Sequence, residues 1–136
     1  MIDVKKLIDN AIEGRSESYS PYSHFKVGAA LLLKDGSYIT GCNVENVSYG
    51  LSNCAERTAL FKMISMGKNK DDVLAMAIVA DTAGPVSPCG ACRQVMKELL
   101  NADTPVYLAN LKHDYKEYSV TELLPYSFEG IENAES

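Results

Sequence analysis

The stretch SPCGACRQ, residues 87–94, places Cys89 and Cys92 three residues apart behind a proline. Residues at this spacing share one face of a helix, and Pro88 suits a first helical turn, where its missing N–H costs nothing. The stretch therefore predicts the start of a helix that carries two thiols on one side. A helix N-terminus stabilises thiolates, which favours either a metal site or a redox pair. The spacing alone leaves both open.

Strand-like runs lie on both sides of this helix along the chain. VLAMAIVA (73–80) is continuously apolar, which is typical of a central strand covered on both faces. VGAALLL (27–33) and SYITGCNV (37–44) flank an Asp-Gly pair, which predicts a hairpin. The other predicted elements are a helix through Val4, Leu7, Ile8, Ala11 and Ile12 that ends before Pro21, a helix over 54–66 with Leu60, Met63 and Ile64 inside, strands at 105–110 and 117–120, and a helical turn at 121–124. This order predicts an α/β fold with a mixed sheet and helices on both faces.

Composition limits the class of protein. The chain of 136 residues suits a single domain, residues 1–136, and its formal net charge of −5 argues against a nucleic-acid partner. The stretch MIDVKKLIDN (1–10) carries scattered charges and no apolar run, so we expect no signal peptide, and no apolar run is long enough to predict a membrane helix. We therefore expect a cytoplasmic protein with no membrane partner. In that reducing compartment, four cysteines are ligands, catalysts or buried thiols rather than disulfides.

A third thiol and a carboxylate stand together in SNCAERTALF (52–61). Cys54 falls in the first turn of the second predicted helix, as Cys89 does in the third. Glu56 has two interpretations. With Asn53 as N-cap it occupies the position of a capping-box carboxylate. It also lies on the stripe that the helix should bury, where a carboxylate is costly unless something specific receives it.

The two motifs together are more specific than either alone. C-A-E and P-C-x-x-C supply three thiolates and a glutamate that is not a ligand. Three protein ligands leave a fourth position for water, which is the arrangement of a catalytic zinc site rather than a structural one. Zinc deaminases combine such a ligand set with a glutamate that acts as general acid and base. The sequence therefore predicts a zinc site in which Cys54 joins Cys89 and Cys92.

The chain resembles the cytidine deaminase family in its short, single-domain, three-cysteine form. The resemblance rests on PYSHFKVGAAL (21–31), GCNVENVSYG (41–50), NCAERTALFK (53–62) and SPCGACRQV (87–95), in that order. It implies a three-layer α/β/α sandwich, a homotetramer, and zinc-dependent hydrolysis of cytidine and deoxycytidine to uridine and deoxyuridine plus ammonia, in pyrimidine salvage.

The resemblance also implies roles for individual residues. On the metal side, Cys54, Cys89 and Cys92 would bind one zinc ion per chain, Glu56 would carry protons, and Arg57 would hydrogen-bond the ligand thiolates rather than face solvent. On the substrate side, the implied residues are Phe25 on the pyrimidine ring, Asn43 and Glu45 on the ribose hydroxyls, the backbone of Ala55 on the base, and Tyr49 and Phe128 reaching into a neighbouring subunit's site. Phe25 also fits an ordinary core position.

Other functions fit parts of the pattern. A structural zinc module would need Cys42 as its fourth ligand, and it would leave Glu56 and the NVEN motif (43–46) without a purpose. Otherwise Cys42 is expected to be a buried or half-buried thiol. A thioredoxin-like redox protein would not need Cys54. Blasticidin S deaminases share C-A-E and P-C-G-x-C-R-Q, but the N-x-E pair and the YSxF segment favour a plain nucleoside. Nucleotide and nucleic-acid deaminases usually carry H-x-E instead.

Overall fold

The computed structural model describes residues 2–84 and 90–123. In chain order its elements are α1 (Val4–Arg15), β1 (Val27–Leu33), β2 (Tyr38–Cys42), α2 (Ala55–Ser65), β3 (Val73–Ala80), α3 (Gly90–Leu99), β4 (Pro105–Asn110), β5 (Tyr115–Ser119) and α4 (Val120–Leu123). None of the helices in these two stretches is both long and apolar enough to cross a membrane.

Strand β3 lies in the middle of a five-stranded sheet of order β2-β1-β3-β4-β5. It pairs antiparallel with β1 and parallel with β4, so the sheet is mixed, as predicted. All of its residues except Leu74 are buried, which confirms the continuous apolar run as a strand covered on both faces. The hairpin prediction is also confirmed, because β1 and β2 pair antiparallel across a turn in which Gly36 adopts a φ of +88°.

Helices cover both faces of this sheet. Leu7, Ile8 and Ala11 of α1 pack with alternate residues of the strands on one face. Residues of α2 and α3, Leu60 and Met96 among them, pack with the other set. The α/β/α sandwich is therefore confirmed as three layers.

The prediction that Ile64 belongs to the buried stripe of α2 is wrong. Leu60 and Met63 are fully buried, but Ile64 is 46 % exposed. Ala55 and Ala59 are also fully buried, so the buried face is centred on the side of the helix that carries these alanines. Ile64 lies at the far edge of that face and contacts solvent.

Two glycines set how closely helices approach the sheet. A Cβ on Gly41 of β2 would lie 2.6 Å from the backbone nitrogen of Ala59 and 2.7 Å from the carbonyl oxygen of Ala55. A Cβ on Gly28 of β1 would lie 2.0 Å from the carbonyl oxygen of Ala11 on the other face. Real Cβ atoms do not reach such distances, so α2 and α1 pack directly on the strand backbones. Gly41 thereby fixes the height of the first turn of α2 above the sheet.

Candidate active site

An extended segment beyond β2 holds the start of α2 in place. Val44 and Asn53 exchange two backbone hydrogen bonds of 2.8 Å. On its other side, the backbone N–H of Glu45 donates to the carbonyl of Tyr19 at 2.8 Å, and that of Tyr19 donates to the carbonyl of Asn43 at 3.1 Å. The segment 43–45 is thus fixed between residues 19 and 53. These contacts bring the N-x-E pair next to Cys54.

Two of the three predicted ligand thiols lie near helix N-termini. Cys54 is the N-cap residue of α2, has an extended backbone and makes no side-chain capping bond. The capping-box interpretation, which required Asn53 as the N-cap, is therefore wrong. Cys92 is in the first turn of α3 and is fully buried. The partial positive charge of a helix N-terminus stabilises the thiolate form, which is the form that binds metals.

Glu56 is buried beside these thiols. Its exposed fraction is 3 %, although a glutamate is rarely buried without a partner. Burial raises the pKa of the Glu56 carboxyl, the neighbouring Cys54 acts in the same direction, and a hydrogen bond with the side chain of Cys92 opposes them. A carboxylate with a raised pKa is a stronger base than one in water. Glu56 is thus equipped to accept and return a proton.

The guanidinium of Arg57 lies against the same thiols. Its Nη2 is 3.6 Å from Sγ of Cys54 and 3.4 Å from the carbonyl oxygen of Ser52. Hydrogen bonding to Cys54 raises the pKa of Arg57, and the side chain of Cys92 contributes in the same direction. Arg57 is only part-buried, but its contacts are made to the thiols. They offset the negative charge that thiolates bring to a cation site.

The described donor set fits zinc. Cys54 and Cys92 offer sulfur ligands, a helix N-terminus lies at each, and an arginine neutralises their charge. Cys89, the remaining predicted ligand, lies outside the described residues. Within residues 2–84 and 90–123, no three His, Cys, Asp or Glu side chains are grouped closely enough to hold a metal by themselves.

The side-chain amide of Asn43 hydrogen-bonds the backbone of the segment that carries Phe25. Its Nδ2 donates to the carbonyl of Phe25 at 2.8 Å, and its Oδ1 accepts from the backbone N–H of Val27 at 2.9 Å. The hydroxyl of Ser18 also donates to Oδ1. Asn43 therefore fixes the backbone at Phe25 in addition to any contact with substrate.

Glu45 is held by the turn that precedes Phe25. Its Oε1 accepts from the backbone N–H groups of Tyr22 and Ser23, each at 3.1 Å, and its Oε2 accepts from the hydroxyl of Ser23. Two hydrogen bonds from Ser23 lower the pKa of Glu45, and the bond from the hydroxyl has a larger effect than the bond from the backbone N–H. The carboxylate therefore stays ionised at neutral pH and points in a fixed direction.

Sequence reasoning missed Ser18 and Ser23. The only signal for Ser23 was its place within the PYSHF motif, and nothing marked Ser18. His24, the next residue along this turn, adopts the left-handed region with φ of 58°. A non-glycine residue there marks a turn that its surroundings hold in place.

The remaining predicted residues are distributed as follows. Phe25 is 43 % exposed, so the core alternative for this ring is wrong. Ala55 is fully buried as the first residue of α2. Tyr49 begins a short 3₁₀ turn, Tyr49–Leu51, beside the 43–45 segment. Phe128 lies outside the described residues. Cys42 is half-buried, and burial raises the pKa of its thiol.

Known proteins match this chain over most of its length. A family model, the cytidine and deoxycytidylate deaminase zinc-binding region, matches residues 1–108. A cytidine deaminase from Halalkalibacterium halodurans is 62 % identical, with 93 % of this chain and 95 % of the relative covered. One from Sporosarcina psychrophila is 55 % identical over 93 % of this chain and 92 % of the relative. The crystal structure of a cytidine deaminase from Burkholderia pseudomallei superposes with a TM-score of 0.90 at 50 % identity and covers 94 % of this chain and 100 % of its own.

Proposed function

This chain belongs to the cytidine and deoxycytidylate deaminase family, and we propose that it hydrolyses cytidine and deoxycytidine to uridine and deoxyuridine. One water is consumed and one ammonia is released in each turnover, a reaction of pyrimidine salvage. The observation that carries the mechanism is the buried carboxylate of Glu56, which interacts with both Cys54 and Cys92. The structural zinc module and the redox protein are wrong alternatives, because the relatives at 62 % and 55 % identity are deaminases.

Cys54, Cys89 and Cys92 would hold one zinc ion per chain. The arginine and the helix N-termini beside the described thiols support this ligand set. Bound zinc supplies Lewis acidity, which lowers the pKa of water to about 7 in catalytic sites of this kind.

Glu56 moves the protons in the reaction. Its carboxylate accepts a proton from the attacking water and delivers it to N3 of the pyrimidine ring. The same group then helps the C4 amine to leave as ammonia. The burial of Glu56 supports this role, because a desolvated carboxylate takes up a proton more readily than an exposed one.

Asn43 and Glu45 bind the sugar hydroxyls, Phe25 packs on the pyrimidine ring, and the backbone of Ala55 contacts the base. Both sugar-side groups keep hydrogen-bonding capacity for a ligand. A carboxylate has about four lone-pair positions, and Glu45 uses three of them on Tyr22 and Ser23. Nδ2 of Asn43 carries two hydrogens, and Phe25 accepts one of them.

The enzyme assembles as a homotetramer, with Tyr49 and Phe128 reaching into a neighbouring subunit's site. Exposed apolar side chains near Tyr49 support an interface there, because Val47 is 81 % and Leu51 is 73 % exposed. Light scattering coupled to size-exclusion chromatography measures the assembly. A monomer at micromolar concentration that deaminates cytidine at its full rate would contradict the shared site.

The test of the reaction is ammonia release from cytidine and deoxycytidine, measured together with zinc content. The wild-type protein should release ammonia and contain about one zinc per chain, the stoichiometry of a single catalytic site. Glu56→Gln should keep the zinc and the fold but lose at least about a hundredfold in kcat, because it removes the proton carrier. Glu13→Gln is the matched control, since Glu13 is exposed on α1, on the other face of the sheet.

Two outcomes would contradict this function. Zinc-loaded wild-type protein that releases no ammonia from either nucleoside would exclude the substrate, and blasticidin S would be tested next. Full turnover by Glu56→Gln would exclude the assigned proton carrier while leaving the substrate intact.

A further inference from the structure

The backbone of Phe25 is held from both sides by side chains. Its carbonyl accepts from Nδ2 of Asn43 at 2.8 Å, and its N–H donates to the hydroxyl oxygen of Ser23 at 3.0 Å. Asn43 and Glu45, the two proposed sugar-binding residues, thus both connect to Phe25. Asn43 does so directly, whereas Glu45 does so only through Ser23.

The Ser23 hydroxyl makes two contacts at once. It donates its proton to Oε2 of Glu45 and accepts from the N–H of Phe25 with a lone pair. A hydroxyl has one proton and two lone pairs, so both bonds coexist without competition. The backbone N–H groups of Tyr22 and Ser23 hold the other carboxylate oxygen of Glu45. The carboxylate therefore receives three hydrogen bonds from this turn.

The turn between Ser23 and Phe25 is strained. His24 adopts a φ of 58°, a left-handed conformation that is unfavourable for a non-glycine residue. The backbone N–H of His24 donates to the carbonyl of Ser20 at 3.0 Å. Because the local backbone preference opposes this conformation, hydrogen bonds must maintain it, and the Ser23 hydroxyl supplies two of them.

We propose that Ser23 is a positioning residue for substrate binding, whose hydroxyl couples the carboxylate of Glu45 to the backbone of Phe25. The sugar-side and ring-side contacts are then set by one turn rather than independently. This role rests on the proposed function, which assigns Glu45 to the sugar and Phe25 to the ring. The proton carrier Glu56 is on α2, and within residues 2–84 and 90–123 no hydrogen bond joins it to Ser23.

Removing the hydroxyl should weaken substrate binding and leave the chemical step unchanged. Ser23→Ala deletes one bond to a charged group and one to a backbone N–H, so KM for cytidine should rise about tenfold. The value of kcat should stay within about twofold, because uniform binding is lost rather than transition-state stabilisation. Ser23→Thr keeps the hydroxyl and should restore KM to within about threefold of the wild type.

A double-mutant cycle separates this role from a general structural one. If Ser23 acts through Glu45, then Ser23→Ala should add less than about threefold to KM in a Glu45→Gln background, because the coupled partner is already altered. A residue that acted independently would add its full tenfold effect. Ser37→Ala is the matched control. The Ser37 hydroxyl donates to Asp35 at 2.5 Å and its backbone N–H donates at 2.9 Å in the β1–β2 turn, away from the site.

The experiment measures kcat and KM for cytidine with the wild type, Ser23→Ala, Ser23→Thr, Ser37→Ala, Glu45→Gln and the Ser23–Glu45 double variant. Melting temperatures of the free proteins verify folding. A KM for Ser23→Ala equal to that of Ser37→Ala, a kcat that falls as much as KM rises, or full additivity with Glu45→Gln would each overturn the positioning role alone. A wild-type protein without deamination would instead overturn the proposed function, and with it the premise of this role.

Discussion

Replacing Gly41 by alanine should push α2 away from the sheet and displace the catalytic residues. The new Cβ would lie 2.6 Å from the nitrogen of Ala59 and 2.7 Å from the carbonyl oxygen of Ala55, both backbone atoms that cannot rotate away. Overpacking of this kind costs about 1–3 kcal/mol. At roughly 4 °C per kcal/mol for a domain of this size, the melting temperature should fall by about 4–12 °C.

The helix rather than the strand should yield. Gly41 is opposite Ala29 in the β1–β2 ladder, and β1 is paired on both sides. The clash falls on the N-terminal turn of α2, which carries Cys54 and Glu56, so a displacement of that turn moves both residues. A misplacement of about 1 Å at a reacting group can cost about a hundredfold in rate. We expect kcat for cytidine to fall by at least about tenfold, even well below the melting temperature.

Gly28→Ala provides the matched control. Its Cβ would lie 2.0 Å from the carbonyl oxygen of Ala11 and 2.7 Å from Cβ of Arg15, so the strain falls on α1 on the opposite face. Its loss of stability should be at least as large as that of Gly41→Ala, with a smaller loss of kcat. Thermal unfolding and cytidine deamination at a common low temperature measure both quantities. Equal losses of kcat in the two variants, or an unchanged melting temperature in Gly41→Ala, would refute the reasoning.

Two further predictions concern the thiols and the response to acid. Arg57→Lys replaces a guanidinium that contacts Sγ of Cys54 at 3.6 Å with a single ammonium, so the affinity for zinc, measured in competition with a chelator, should fall about tenfold. Arg15→Lys is the control and should retain wild-type affinity, because the guanidinium of Arg15 bonds a backbone carbonyl. Hydrogen bonding to His113 lowers the pKa of Asp9, so the contribution of Asp9 to stability is present above its unfolded pKa of about 3.8 and is lost as the pH falls through the lowered folded value. The melting temperature of Asp9→Asn should therefore fall less than that of the wild type between about pH 5 and pH 2. Parallel curves of melting temperature against pH for the two proteins would contradict this assignment.

The sequence predicted those elements in which local pattern and tertiary packing agree. The run at 73–80 is apolar at every position, so burial on both faces requires no further information, and the strand spans the predicted residues. The Asp-Gly turn of the hairpin is likewise set by local chemistry. The buried face of α2 could not be predicted from the helix sequence alone. The large residues Leu60, Met63 and Ile64 suggested one centre for this face, whereas Ala55 and Ala59 lie around another. The side with Ala55 and Ala59 faces the sheet because Gly41 leaves room for it, which turns Ile64 toward solvent.

The arrangement around Glu45 depends on contacts that no local pattern encodes. Ser23 and Glu45 are 22 residues apart, and they meet only because Val44 bridges Tyr19 on one side and Asn53 on the other. A motif match can assign the N-x-E pair to a sugar, but it does not indicate that the same side chains hold the turn carrying Phe25. Substitutions in this pair should therefore alter the ring contact as well as the sugar contact. The contribution of each residue to binding can be separated only by a cycle that includes Ser23, because single substitutions of Glu45 change both contacts together.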